Sequence, residues 1–306
     1  MRSLILIFLG SPDNYGPEYI LDKEVILVTL NYRLGAFGFL SLENQLLPGN
    51  LGFRDQNVAM QWVQKNIQSF GGNPNDVTLF GESSGSFSVF YHIVSPVSAG
   101  LFHKAIAQSG APFEPEIHAK DPGRQRALAE GLARAVGCSI SSDNELISCL
   151  SEKPTDELLL ANFLCQPGYT CSTNPLDATV DGYLEHQAFL PDYPESLVRQ
   201  GLFNRVPMMV GVNAEEGIYS VAPAMKDPSR FSQVNEYWDY FGPLNIFDTD
   251  NATAEQIEIS RLIKDFYMQS NPASMDTVHD VIDLFSDIVF WSGSHRSVML
   301  QRLNQQ

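Results

Sequence analysis

Five residues do most to limit what this chain can fold into: Gly81-Glu82-Ser83-Ser84-Gly85. They lie between a short β-branched run, Val77-Thr78-Leu79-Phe80, and an apolar segment over residues 87–94. A strand that ends in a glycine-bracketed serine and turns at once into a helix holds that serine's hydroxyl out for attack. Glycines two before and two after the serine relieve the crowding of so sharp a turn. A serine hydroxyl is a weak nucleophile until a base takes its proton. The same turn aims the Ser84 backbone N–H at an oxygen gaining negative charge, close to a helix N-terminus. Ser83 is thus the candidate nucleophile and Ser84 the candidate oxyanion donor. The bare G-x-S-x-G pattern recurs by chance, and the strand before it and helix after it give it weight.

The surrounding chain repeats that strand-then-helix order, which implies a parallel sheet covered by helices. Residues 24–30, Glu-Val-Ile-Leu-Val-Thr-Leu, read as a parallel strand buried on both faces. Apolar residues at helical spacing predict a helix over 56–70, stopped by Gly71-Gly72-Asn73-Pro74. Residues 105–108 read as a strand and 124–136 as an amphipathic helix ended by Gly137. Residues 206–212 read as a further buried strand, and helices are predicted over 254–268 and 275–303. No repeat or low-complexity linker marks a boundary, so one α/β domain over 1–306 is expected.

The strand at 206–212 ends in Asn213-Ala214-Glu215-Glu216-Gly217. In α/β-hydrolases the catalytic residues follow the chain order serine, acid, histidine. Glu216, after Ser83 and at a strand end, is the candidate acid, which would hold the histidine tautomer and stabilise its imidazolium.

Net charge is −17, from 36 acidic and 19 basic residues. Such a surface repels phosphate backbones, which argues against nucleic acid as a partner. No apolar run approaches the ~18 residues that would span a bilayer. The start, Met1-Arg2-Ser3-Leu4-Ile5-Leu6-Ile7-Phe8-Leu9, has the form of a short signal peptide or of a buried strand. Cys138, Cys149, Cys165 and Cys171 allow three pairings and form no C-x-x-C zinc or redox pattern, so no metal or cofactor is expected. Cys138 and Cys149 flank a short polar stretch, where a bridge would close a small loop. Asn251-Ala252-Thr253 is a glycosylation acceptor sequence. Together these point to an oxidising, secretory environment.

A longer set of motifs carries a family resemblance. Asn31-Tyr32-Arg33-Leu34-Gly35-Ala36-Phe37-Gly38, then Gly49-Asn50-Leu51-Gly52-Phe53-Arg54-Asp55-Gln56, then Phe70-Gly71-Gly72-Asn73-Pro74 running into Phe80-Gly81-Glu82-Ser83, resemble the type B carboxylesterase (cholinesterase-like) signature. Gln108-Ser109-Gly110, Asp181-Gly182 and Glu216-Gly217 continue it. The resemblance implies an α/β-hydrolase fold with a mostly parallel central sheet, small-molecule ester substrates, and a Cys138–Cys149 bridge. It gives Glu82 a place near a cationic substrate group, with local hydrogen bonding as the alternative. Arg33 and Asp55 are expected to make buried polar contacts rather than touch substrate. Oligomeric state is left open.

The same resemblance places a glycine-rich oxyanion loop just before the region matching Phe8 to Ser11 and a catalytic histidine after the segment 285–296. Neither is found in the sequence, so a truncated fold, incomplete at both ends, and a weakly active or inactive chain are expected. His118 and His186 precede Glu216, the wrong order; His92 sits on the apolar helix after the elbow and His103 just before a strand; His279 and His295 match non-catalytic helices. The alternative reading is a non-catalytic relative that binds or adheres, against which both Ser83 and Glu216 stand intact in their motifs.

Overall fold

The computed structural model describes residues 2–4, 16–111, 122–164, 178–247, 249 and 251–303. Contacts divide the chain into two compact units. The first holds residues 1–108, 119–209 and 304–306, and the second holds 109–118 and 210–303.

A four-stranded sheet runs in the order β1 (Arg2–Leu4), β2 (Thr78–Glu82), β3 (Lys104–Gln108), β4 (Met208–Gly211). The first three strands are parallel, with Leu4 opposite Glu82 and Glu82 opposite Gln108. Parallel neighbours require long crossovers, and helices supply them. The first unit carries α1 (Glu18–Leu21), α2 (Gly35–Phe39), α3 (Leu51–Asn66), α4 (Ser84–Val94), α5 (Arg124–Ala135), α6 (Asp143–Glu152), α7 (Thr155–Leu164) and α8 (Pro194–Arg199). Gly71, at φ 82°, stops the 3-10 turn that follows α3, as the glycine pair implies. α3 begins at Leu51 rather than 56; its first turn buries Phe53 and carries Arg54, whose guanidinium donates to the fully buried Asp181 carboxylate at 2.7 Å.

α4 is buried along its whole length and packs on β2 and β3. A helix apolar on most faces belongs in the centre of a layer, where no stripe needs to meet water. Its neighbours form an aromatic core, with Phe53 stacked on Phe189 at 5.0–5.1 Å from the rings of Phe39, Tyr91 and Phe189. At the other end of α4, Asn204 donates to the carbonyls of His92 (2.9 Å) and Ser95 (3.0 Å), and its own N–H donates to Ile93 (2.7 Å). Three carbonyls that would otherwise lack partners at a helix C-terminus are thereby satisfied.

The second unit is helical beyond β4. It contains α9 (Ile218–Lys226), α10 (Ser232–Glu236), α11 (Trp238–Phe247), α12 (Ala254–Met268), α13 (Val278–Ser286) and α14 (Ser292–Leu303), the last two joined by a π turn. Its core gathers Phe231, Trp238, Met268, Val281, Ile282 and Phe285. The Trp238 indole N–H is answered by the Ser260 carbonyl at 2.9 Å. α12 begins with a reciprocal cap between Thr253 and Gln256.

Two expectations are corrected. Residues 24–30 form no strand. Glu24 sits at φ 54°, Val25 and Ile26 are about half exposed, and among the described residues only Thr29 makes a bridge. An apolar, β-branched run supplies the side chains of a buried strand but not the hydrogen-bonded neighbours that define one. β4 is not buried on both faces either, since Met209 is 66% exposed. It stands last in the strand order, where one edge lacks a described neighbour.

Candidate active site

The turn between β2 and α4 has the geometry expected of a nucleophile elbow. Ser83 lies at φ 54°, ψ −122°, a conformation that costs a non-glycine residue on the order of 1–3 kcal/mol. The surrounding structure holds it there. The Ser83 N–H donates to the Gln108 carbonyl at the end of β3 (2.9 Å), and the Ser83 carbonyl accepts from Phe87 N–H (3.1 Å). Gly81 is required by close approach: a Cβ there would lie 2.4 Å from the carbonyl carbon and oxygen of Gly85. Ser83 is partly exposed while Ser84 is buried. Ser84 opens α4, so its N–H belongs to the first turn, whose donors have no acceptor within the helix. Glu82 is partly buried and closes β2 opposite Gln108.

Behind the elbow lies a buried polar chain. His92, on α4, is enclosed by protein, with its Nδ1 2.8 Å from Ser98 Oγ and its Nε2 3.0 Å from Gln56 Oε1. Gln56 in turn donates to Ser88 Oγ (3.3 Å), and Ser88 Oγ donates to the Ser84 carbonyl (2.9 Å). Burial alone drives the imidazole pKa down to about 3, so the ring is neutral at ordinary pH.

In the second unit, Glu216 is held by a different device. Its Oε1 accepts from the Asn213 backbone N–H (2.8 Å) and from Asn213 Nδ2 (3.0 Å). The Gly217 N–H donates to Ser286 Oγ on α13 (2.8 Å). A Cβ at Gly217 would come within 2.0 Å of the Ile282 carbonyl oxygen, so the residue after Glu216 must be glycine for the loop to lie on α13. Asn213 and Ser286 carry no catalytic motif. The signal for Asn213 was its place three residues before Glu216, where a short amide reaches local groups; Ser286 gave none.

Several other expectations can be placed. Cys138 and Cys149 are joined; Cys165 and Cys171 fall outside the described residues. Asn251 is exposed. Arg33 and Asp55 pair with each other, Nε to Oδ2 at 2.7 Å and Nη2 to Oδ1 at 2.6 Å, but they do so half exposed rather than buried. Burial pushes the Asp55 carboxyl up, but the bonds from Arg33 outweigh it and leave the pKa below the usual carboxylate range. Asp181 is a structural carboxylate: besides Arg54 it accepts from the N–H groups of Phe189 and Leu190, so both of its buried oxygens are hydrogen-bonded.

The described histidines have other surroundings. His103 Nδ1 accepts from Val77 N–H, His279 lies 3.8 Å from Glu215, and His186 and His295 are on the surface. His118 falls outside the described residues. Among the described residues no group of side chains could hold a metal ion. No helix among them is long and apolar enough to cross a membrane.

Comparison with known proteins gives this geometry its context. The model of the carboxylesterase family matches residues 6–306. The chain belongs to the carboxylesterase family. That membership carries the α/β-hydrolase fold, consistent with the parallel sheet and its covering helices. Among its carboxylesterase relatives, a venom carboxylesterase-6 from Apis mellifera is 33% identical over 291 residues, 93% of this chain and 51% of the relative. A carboxylic ester hydrolase from Bombus ignitus is 35% identical over 294 residues, 95% of this chain and 51% of the relative. A juvenile hormone esterase from Tribolium castaneum is 36% identical over 309 residues, with the same two coverages. The chain spans about half the length of these relatives.

Proposed function

We propose that this protein is a serine carboxylesterase that hydrolyses small carboxylic esters through an acyl-Ser83 intermediate. The observation that carries the reading is the strained Ser83 backbone at a strand-to-helix turn, with Gly81 packed against Gly85. In this reading Ser83 Oγ attacks the ester carbonyl carbon as a histidine takes its proton. The carbonyl oxygen becomes an oxyanion that accepts from the Ser84 N–H. The carbon–oxygen bond to the alcohol then breaks, with the proton passing to the leaving alkoxide. Water, activated by the same base, cleaves the acyl-serine and releases the acid.

Glu216 is the triad acid, with Oε1 held by Asn213, and its role is to orient the histidine and stabilise the imidazolium. We assign the base to none of the described histidines, each of which has other surroundings. Glu82 stands beside the nucleophile, where a carboxylate favours esters with a cationic group. The Cys138–Cys149 bridge and the exposed Asn251 acceptor sequence support a secreted glycoprotein.

Intact-mass analysis of the full-length protein after treatment with a fluorophosphonate tests the reading. One adduct per molecule that disappears in Ser83→Ala is expected, and removing the base or nucleophile from such a triad costs on the order of 10⁶ in rate. An adduct that persists in Ser83→Ala, or a folded wild type that takes none, overturns it; the second result favours a non-catalytic binding relative. The same spectrum of secreted protein, before and after an N-glycosidase, reads whether Asn251 carries a glycan.

A further inference from the structure

The hydrogen bonds behind the elbow have a single consistent direction. The Asn57 amide is oriented by Gln61, which donates to Asn57 Oδ1 at 2.7 Å, so Asn57 Nδ2 is the donor to Ser98 Oγ at 3.1 Å. Nδ2 also donates to the Val97 carbonyl at 3.0 Å, which fixes the same orientation. At the other end, Ser88 Oγ donates to a carbonyl, that of Ser84, and so accepts from Gln56 Nε2. Gln56 Oε1 is then the acceptor facing His92, which must present Nε2–H. With Nε2 protonated and the ring neutral, Nδ1 is an acceptor and Ser98 the donor to it. One path therefore runs from Asn57 through Ser98, His92, Gln56 and Ser88 to the Ser84 carbonyl, every member buried and every hydrogen bond pointing the same way.

We propose that His92 and Ser88 are positioning residues for the oxyanion donor. The path ends on the carbonyl of the residue whose N–H stabilises the oxyanion, and it joins α3 and the turn after α4 to the first turn of α4. This proposal rests on the reading of Ser83 as nucleophile. A strained backbone such as that of Ser83 persists only where the surrounding structure holds it and its neighbours in place. Ser88 holds the Ser84 carbonyl from within the helix, Gln56 holds Ser88 from α3, and His92 holds Gln56. Bonds in a directed chain polarise one another, which stiffens the arrangement beyond the sum of its pairs. A protonated imidazole would offer two donors and no acceptor, and the path would break at Ser98. Enclosure of His92 by apolar neighbours, including the edge of the Phe189 ring at 5.3 Å, keeps it neutral.

The test compares Ser88→Ala and Ser88→Thr in the full-length protein. Ser88→Ala removes the last link while leaving His92 and Gln56 in place, and Ser88→Thr restores the hydroxyl. Steady-state hydrolysis of an ester and of its thionoester counterpart is measured for each, alongside thermal unfolding. Sulfur is too large for a donor set aimed at oxygen, so the ester-over-thionoester preference reports how well the Ser84 N–H is aimed. In Ser88→Ala the ester kcat is expected to fall about tenfold at unchanged KM, on the scale of a fraction of an ångström in alignment. The ester-over-thionoester preference should fall with it, and both should recover in Ser88→Thr. A fall in unfolding temperature with kcat and the preference unchanged would mean that the chain only packs the core, and would overturn the proposal. A folded wild type that hydrolyses neither substrate overturns the nucleophile reading as well, and so is distinguished from failure of this one alone. Ring nitrogen shifts of His92 give a check independent of turnover: a neutral Nε2–H form at pH 5 is expected, and an Nδ1–H or doubly protonated ring refutes the direction of the path.

Discussion

The elbow at Ser83 and the loop at Glu216 both depend on a glycine pressed against backbone, but the contact spans different distances in sequence. Gly81 meets Gly85, four residues on, inside one strand-turn-helix. Gly217 meets Ile282 and Ser286, with a hydrogen bond spanning 69 residues. Ser83, the proposed nucleophile, is therefore set by local backbone and buried, neutral support. Glu216, the proposed acid, is set by a neighbouring amide and by a helix that must arrive from far along the chain. Where a site is local, spacing in the sequence announces it; where it is assembled, the sequence names the residue but not what holds it.

Among changes to the residues that support the two sites, the largest effect should come from Gly81→Ala. Its Cβ would meet only backbone, so the turn itself must shift, and a shift of about 1 Å costs about a hundredfold in rate. The rate of fluorophosphonate capture checks this. A near-normal rate would mean that the elbow tolerates displacement and that its strain is not what aims Ser83.

The second effect concerns the elbow's neutral support. His92 has a pKa near 3 in the folded protein and about 6.5 when unfolded, so below pH 6.5 the unfolded chain binds a proton that the folded one refuses. Its contribution to stability is complete above pH 6.5 and declines as pH falls toward 3. Between pH 6.5 and 5 that amounts to about 2 kcal/mol. The paired carboxylates, such as Asp55 and Asp239, lose their contributions only nearer pH 4, where the unfolded groups take up protons. Denaturant titrations at pH 7 and 5 should show a slope that His92→Gln flattens. An equal slope in both proteins would mean that His92 is protonated in the native state.

The smallest effect is expected at the acid. Asn213→Ala removes the side-chain donor from Glu216 Oε1 but leaves the backbone donor, so kcat for ester hydrolysis should fall about tenfold, with stability changed by about 1 kcal/mol. No change in kcat would mean that the backbone bond and the Gly217 contact suffice to orient Glu216.

Legibility followed the same division. Residues 105–108 and 254–268 fall within or on their observed elements because period and terminators lie together in sequence. The glycine bracket of Ser83 and the position of Glu216 at the end of β4 were legible for that reason too. The run at 24–30 was misread because apolar composition does not reveal whether a neighbouring strand is there to bond. The exposed face of β4 went unseen because Val206-Pro207-Met208-Met209-Val210 has no alternation to show it. Gln56, Ser88, His92 and Ser98 are each unremarkable alone, and bonds over 32 and 36 residues join them only after α3 lies beside α4. The same holds for the pair Arg54 and Asp181, 127 residues apart.

Asn204 adds a matter of timing. It closes the end of α4 from 112 residues downstream. During synthesis α4 emerges long before the residue that satisfies its last carbonyls, and contacts of such separation form late. Until the ribosome has delivered the stretch before β4, the final turn of α4 must rely on water for its partners. A helix buried along its whole length in the folded protein is, for that interval, a helix with an open end.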